Sequence, residues 1–302
     1  MSVPNFQLVH PPRLSRSPLD RAEELRRDTA ALAAGWSTAR ILDVDGRGRF
    51  AVDDGGLVFV DAADVATEPT EDAVFLGIHD DRHLWTRRVE LLQGTLGDLR
   101  TDGERLDSVS LSMVTGALAI LNWHASARFS SLDGAPSVPS AAGWSRTSTS
   151  SGHEEFPRTD PAVICLVHDG ANRVLLARAP MWPERRFSVL AGFVEAGESL
   201  ETCVAREIKE EVGLDVSGIE YLGSQPWPFP RSVMIGFSAV ADPDQPLAFQ
   251  DGEIAEAHWF ERTEVVAALE LGDWGSESTS RLLLPGSISI ARGMLEAWAA
   301  TT

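Results

Sequence analysis

Residues 192–214 read GFVEAGESLETCVAREIKEEVGL, and the rest of the chain is best read outward from them. The second half of this stretch predicts a helix. Ser199 is placed to cap its start, and Gly213 to stop it in a left-handed conformation. Leu200, Val204, Ile208 and Val212 recur at helical spacing and give it one buried side. Glu207, Glu210 and Glu211 stand at i, i+3 and i+4, so at about 100° per residue they share an adjacent arc. Like charges at this spacing repel, and close to a helix C-terminus they also oppose the helix dipole. Lys209 falls on the opposite face. Spacing alone leaves two readings about level: a solvated acidic face, or hard oxygen ligands converging on Mg2+ or Mn2+. The segment between Gly192 and Gly197 favours the second. A strand, a glycine loop and a helix together let backbone approach a phosphate while the helix presents its carboxylates.

The surrounding pattern predicts a mixed sheet flanked by helices over residues 159–302. Strands are expected at 162–169, 173–179, 187–195, 221–225, 232–240 and 255–261, with further helices at 263–270 and near 289–300. Residues 1–127 predict a separate α+β domain, with a helix over 19–36, four alternating segments between 39 and 91, and a helix over 106–126. His79, His83 and His124 are isolated there and suggest no chemistry. Residues 128–158 are rich in Ser, Thr, Gly and Pro and predict a poorly packed connector, with Trp144 as its one large apolar anchor. The 302 residues carry a formal charge of −19, which argues against a general nucleic-acid coat but not against a nucleotide met by divalent cations. Two cysteines, Cys165 and Cys203, cannot build a disulfide framework or a four-cysteine metal site. With no signal-like or membrane-length apolar run, a cytoplasmic protein is expected.

The string Gly192-x5-Glu198-x7-Arg206-Glu207-Ile208-x-Glu210-Glu211-x-Gly213-Leu214 resembles the Nudix box at every defining position. The resemblance implies an α/β/α sandwich and metal-dependent hydrolysis of a nucleoside diphosphate linked to another group. Glu207, Glu210 and Glu211 would bind the metals, Glu211 or Glu207 would activate water, and Glu198 and Arg206 would orient loop and helix. Residues 224–232, SQPWPFPRS, are similar to a signature of the NADH pyrophosphatase family, which also acts on NAD-capped RNA. By itself such a string is more often a stiff loop packing its aromatics inward. The family resemblance implies that Phe193 stacks on the nicotinamide half of the substrate and that Phe156, of the Phe156-Pro157 pair, lies nearby. It likewise assigns substrate contacts to Gln225, Trp227, Phe229 and Ser232, a diphosphate contact to Ser289, and a further metal carboxylate to Glu253, with Glu256 close by. Many family members carry a four-cysteine zinc ribbon between their domains. Here its ligand positions read Ser130, Asp133, Ser148 and Ser151, so no structural zinc is expected.

The expected activity is hydrolysis of NADH or NAD+ to a nicotinamide mononucleotide and AMP, with removal of the NAD cap from RNA as the related reaction. Arg158, Arg185, Arg186 and Arg231 are candidates to guide RNA, and the resemblance implies a homodimer. Two alternatives stand beside this: a Nudix hydrolase of ADP-ribose or dinucleoside polyphosphates, and a catalytically silent nucleotide-binding regulator. The SQPWPFPRS string speaks against the first, and the intact glutamate set against the second.

Overall fold

The computed structural model describes residues 6–249 and 252–301 and divides the chain into two compact units. One holds the chain through Ser15, then Asp160–Gln225 and Val233–Thr302. The other holds Arg16–Thr159 and Pro226–Ser232. The partition differs from the boundary expected at 127. Residues 6–15 fold with the C-terminal unit because Phe6 is buried in its core and the Ser15 hydroxyl donates to the Ser224 carbonyl at 2.6 Å. The proline segment goes the other way, and Asn122 donates to the carbonyls of Pro228 and Pro230 at 3.2 and 2.9 Å.

In the C-terminal unit five strands run in the order Val216–Trp227, Ser232–Ala241, Asp160–His168, Arg173–Arg178, Glu256–Glu261, and Leu190–Phe193 pairs with Asp160–His168. Successive strand side chains point to opposite faces. Val163, Cys165, Val167 and Leu175 therefore pack against Val204, Ile208 and Val212 of the helix Leu200–Val212. Ile164, Leu166, Val174 and Leu176 pack on the other side against Val265 of the helix Arg262–Glu270 and Met294 and Trp298 of the helix Ile290–Ala299. Both faces are covered, which is the α/β/α sandwich, and each such side chain contributes about 1.5–3 kcal/mol by leaving water.

The other unit is α+β, as expected. Its sheet is mixed: Arg40–Asp45 runs parallel to Arg82–Val89 and antiparallel to Phe50–Asp53. Trp36, Ile41, Phe75 and Trp85 fill the core beneath it. The helix Ser108–Ser126 begins where the Asp107 carboxylate accepts the Ser110 amide at 2.8 Å. The helix expected over 19–36 is shorter, Thr29–Trp36, behind a 3-10 turn at Glu23–Arg27. Asp28 interrupts the pattern because its carboxylate caps the Ala31 amide at 3.0 Å.

The connector expected over 128–158 is instead folded. Ser137–Ser140, Ser145–Ser148 and Glu154–Glu155 form an antiparallel three-stranded sheet. Its hydroxyls bond one another and the backbone: Ser140 reaches Ser145 at 2.8 Å and Thr147 at 3.0 Å. Buried Arg146 donates to Ser137 Oγ at 2.9 Å. At the four positions of the zinc-ribbon frame, Asp133 accepts from Ser148 at 2.8 Å and from Ser151, while Ser130 Oγ accepts the Leu132 amide at 3.2 Å. The hydroxyl of Ser151, the Ala135 amide and the hydroxyl of Ser148 hold the Asp133 carboxyl down to about 2. Trp144 is the anchor its size suggested, its indole donating to the Phe75 carbonyl at 2.5 Å. No helix among the described residues is long and apolar enough to cross a membrane.

Candidate active site

The antiparallel register places Gly192 opposite Val163 and Phe193 opposite Ala162, at the edge from which the glycine loop leaves the sheet. Gly192 is required by contact. A Cβ there would lie 1.8 Å from Glu207 Cδ and 2.1 Å from each carboxylate oxygen, so the Glu207 carboxylate rests directly on this strand. The helix opens with Ser199 Oγ accepting the Thr202 amide at 3.2 Å. It closes at Gly213, whose φ of 80° and backbone bond to Lys209 form the left-handed stop that the sequence suggested.

Arg206 ties loop to helix. It forks onto Glu198 at 2.7 and 2.9 Å, donates to the Phe193 carbonyl at 2.9 Å, and reaches Glu207 at 3.0 Å and Glu210 at 2.8 Å. Such a bidentate guanidinium–carboxylate pair fixes geometry as well as charge. Arg206 beside it holds the Glu198 carboxyl down to about 2, and the Glu198, Glu210 and Glu207 hydrogen bonds keep the guanidinium protonated. The role expected of this pair is thus wider than loop orientation: Arg206 also offsets the repulsion between two of the three helix glutamates.

Glu211 is buried, 5% exposed, while the Glu210 carboxylate is half exposed. Glu211 and Glu253 line one cavity of about 610 Å³, together with Ala177, Trp182, Leu190 and Ala191. Burial pushes the Glu207 carboxyl upward against the bond from Arg206, and the charges of Glu210 and Glu253 push it the same way. Glu207, Glu210 and Glu253 thus share one electrostatic neighbourhood. Among the described residues no three His, Cys, Asp or Glu side chains are already gathered around one point, because Glu207 and Glu210 are turned onto Arg206. The donor set is nonetheless all hard carboxylate oxygen with surplus negative charge, the chemistry that suits a divalent cation such as Mg2+.

The other expected residues fall in different places. Phe193 is 60% exposed at the strand end. Gln225 is 1% exposed and donates to the Ile288 carbonyl at 3.2 Å, so it braces two segments and offers no surface to a ligand. Ser289 caps the helix Ile290–Ala299 by accepting the Ala291 amide at 3.3 Å. Glu256 lies on the sheet face opposite the glutamate helix, since neighbouring Ala257 packs with that helix. It pairs with Arg178 at 2.5 Å and His258 at 3.2 Å. Phe156, Trp227, Phe229 and Ser232 belong to the other unit. Phe156 is exposed there, Ser232 is buried, and the rings of Trp227 and Phe229 meet edge to face at 4.9 Å under Arg100. Arg100 and Asn122, which hold this segment, carried no sequence signal because their partners lie more than a hundred residues away. Trp182 was also missed as a cavity residue; its place between Pro180 and Pro183 in a loop after a strand was the available hint.

The NUDIX domain family matches residues 158–282. Proteins of Mycobacterium bovis and Mycobacterium tuberculosis named NAD-capped RNA hydrolase NudC are 57% identical to this chain over 304 residues, covering 98% of this chain and 97% of theirs. The mitochondrial NAD(P)H pyrophosphatase NUDT13 of Mus musculus is 37% identical over 256 residues, covering 76% of this chain and 72% of that protein.

Proposed function

The chain belongs to the NudC family of Nudix hydrolases, and on that footing we propose that it hydrolyses the diphosphate of NAD(H) to a nicotinamide mononucleotide and AMP and removes the same group from NAD-capped RNA. The observation that carries this reading is a likeness running through both units at 57% identity, not through the Nudix half alone.

Glu207, Glu210, Glu211 and Glu253 would hold Mg2+ or Mn2+. When bound, such cations supply charge neutralisation at the diphosphate and Lewis acidity at phosphorus. Glu211, shielded from bulk solvent, would accept the proton of the water that attacks phosphorus as the anhydride P–O bond breaks, with Glu207 in reserve. Arg206 and Glu198 would keep the loop and helix in register, and Phe193 would stack on the nicotinamide. Free, buried Cys165 and Cys203 support a reducing cytoplasm. Phe129, Leu132, Val138 and Phe156, all half exposed or more along the folded connector, support a homodimer that covers them. Of the arginines proposed to guide RNA, Arg158 and Arg231 lie in one unit and Arg185 and Arg186 in the other.

Product analysis with NADH and NAD-capped RNA side by side tests the proposal, on wild type and Glu211→Gln. AMP from NADH and a 5′-monophosphate RNA are expected from the wild type, with turnover lower by orders of magnitude in the variant. Absence of AMP in the presence of Mn2+, or near-normal turnover by Glu211→Gln, would respectively overturn the activity and the base.

A further inference from the structure

Trp182 borders the same cavity of about 610 Å³ as Glu211 and Glu253, and neither the Nudix box nor the SQPWPFPRS string contains it. It stands in the loop after the strand Arg173–Arg178, with its backbone polar groups taken up. Its amide donates to the Ala179 carbonyl at 3.0 Å, and its carbonyl accepts from Arg178 at 2.9 Å. The half-buried indole is therefore the part of Trp182 that can meet a ligand. That indole is braced. Its ring meets the ring of Trp274 at 4.7 Å and 54°, and Trp274 is itself fixed by donating to the carbonyls of Phe187 and Leu283 at 3.3 and 3.1 Å. A ring held in place before a ligand arrives costs little ordering on binding, and stacking of a base on such a ring is strong enough to decide affinity.

The order of groups along the strand Leu190–Phe193 gives the class of ligand. Arg206 bonds to the Phe193 carbonyl, the Glu207 carboxylate rests on Gly192, and Glu211 borders the cavity with Leu190 and Ala191. Carboxylates thus follow one another away from Phe193, along about 10 Å of strand, toward the cavity that Trp182 borders. An aromatic residue stands at each end and carboxylates stand between. A dinucleotide has the same order: a base at each end, and a diphosphate with its cations in the middle. The two ends are also unlike. Indole and purine are both fused two-ring systems, so a purine overlaps Trp182 more fully than a single-ring base does.

We propose that Trp182 is a specificity-determining residue that stacks the purine of the substrate half released as AMP, across the carboxylates from the nicotinamide on Phe193. The proposal rests on the reading of the glutamate site as a dinucleotide hydrolase and adds the residue that selects the second base. In NAD-capped RNA the adenosine of NAD is the first nucleotide of the chain, so one ring serves both substrates.

Calorimetric binding of AMP, GMP, CMP and nicotinamide mononucleotide to the full-length protein, with Mg2+ present, tests this without any turnover. The wild type should bind the two purine nucleotides more tightly than CMP. Trp182→Ala should weaken AMP and GMP by about tenfold, leave nicotinamide mononucleotide within about twofold, and abolish the preference over CMP. Trp182→Phe should restore most of the AMP affinity. A mere loss of packing would weaken all four ligands together, so equal losses would overturn the proposal. So would unchanged AMP affinity in Trp182→Ala, a loss confined to nicotinamide mononucleotide, or no binding of AMP by the wild type. AMP release from NADH is measured on the same samples. A wild type inactive on NADH whose AMP binding still depends on Trp182 would remove the hydrolase reading and keep the stacking role. An active enzyme whose AMP affinity ignores Trp182→Ala would do the reverse.

Discussion

Replacing Gly192 by alanine should separate catalysis from folding. The new Cβ would stand 1.8 Å from Glu207 Cδ, whereas carbon atoms settle at roughly 3.5 Å or more, so the carboxylate must retreat by roughly 1.7 Å or more. Misplacing a catalytic group by about 1 Å costs on the order of 100-fold, equivalent to about 3 kcal/mol of barrier. The backbone at Gly192 is not left-handed, and the clash is with a side chain, so the fold itself is not strained. Gly192→Ala should therefore lower kcat/KM for NADH by about 100-fold with its melting temperature within a few degrees of wild type. AMP release measures the first and calorimetry the second. A double-mutant cycle sharpens the result: in a Glu207→Ala background there is no carboxylate to displace, and the added methyl should cost nothing further. Wild-type turnover by Gly192→Ala, or an undiminished penalty in that background, would refute the placement of Glu207 on this strand.

Arg206→Lys keeps the charge but not the fork that grips Glu198, so it should lose turnover by about tenfold or more, and equal rates would remove Arg206 from the site's support. Acid should weaken the unit that contains His124. Its Nε2 bonds to the Gly143 carbonyl and its Nδ1 faces Arg146 at 3.0 Å, an arrangement that suits the neutral ring, and burial pushes its pKa down to about 4. The unfolded chain takes up this proton near pH 6.5 and the folded chain does not. Stability from this group is therefore present above pH 6.5 and is lost as the pH falls toward 4, by on the order of 3 kcal/mol. Denaturant melts at pH 7, 5.5 and 4.5 should show that slope, and His124→Asn should flatten it. Cleavage of NAD-capped RNA should fall with salt more steeply than NADH hydrolysis, and equal slopes would mean that the arginines do not guide RNA.

The glutamate helix was legible because its determinants are local. A cap, a stop, an apolar stripe and three carboxylates all lie within one short stretch, and the structure keeps the cap, the stop and the stripe where the spacing puts them, while Glu207 and Glu210 turn onto Arg206. The placement of Glu256 was legible in principle, since strand alternation sends it to the face opposite Ala257. The partition into units was not. It depends on residues 6–15 and 226–232 crossing to the unit remote in sequence, and no periodicity records such a return. The connector was misread for a different reason. Its sheet is held by hydroxyl-to-hydroxyl and hydroxyl-to-carboxylate bonds, so its composition looks like that of a linker while its polar atoms are largely satisfied.

The Asp133 cluster has a consequence for durability. A thiolate-bound fold can be lost by oxidation of sulfur or by competition from a stronger chelator. Serine hydroxyls gathered on a carboxylate present no sulfur to oxidise. This part of the chain should therefore hold its shape through peroxide exposure.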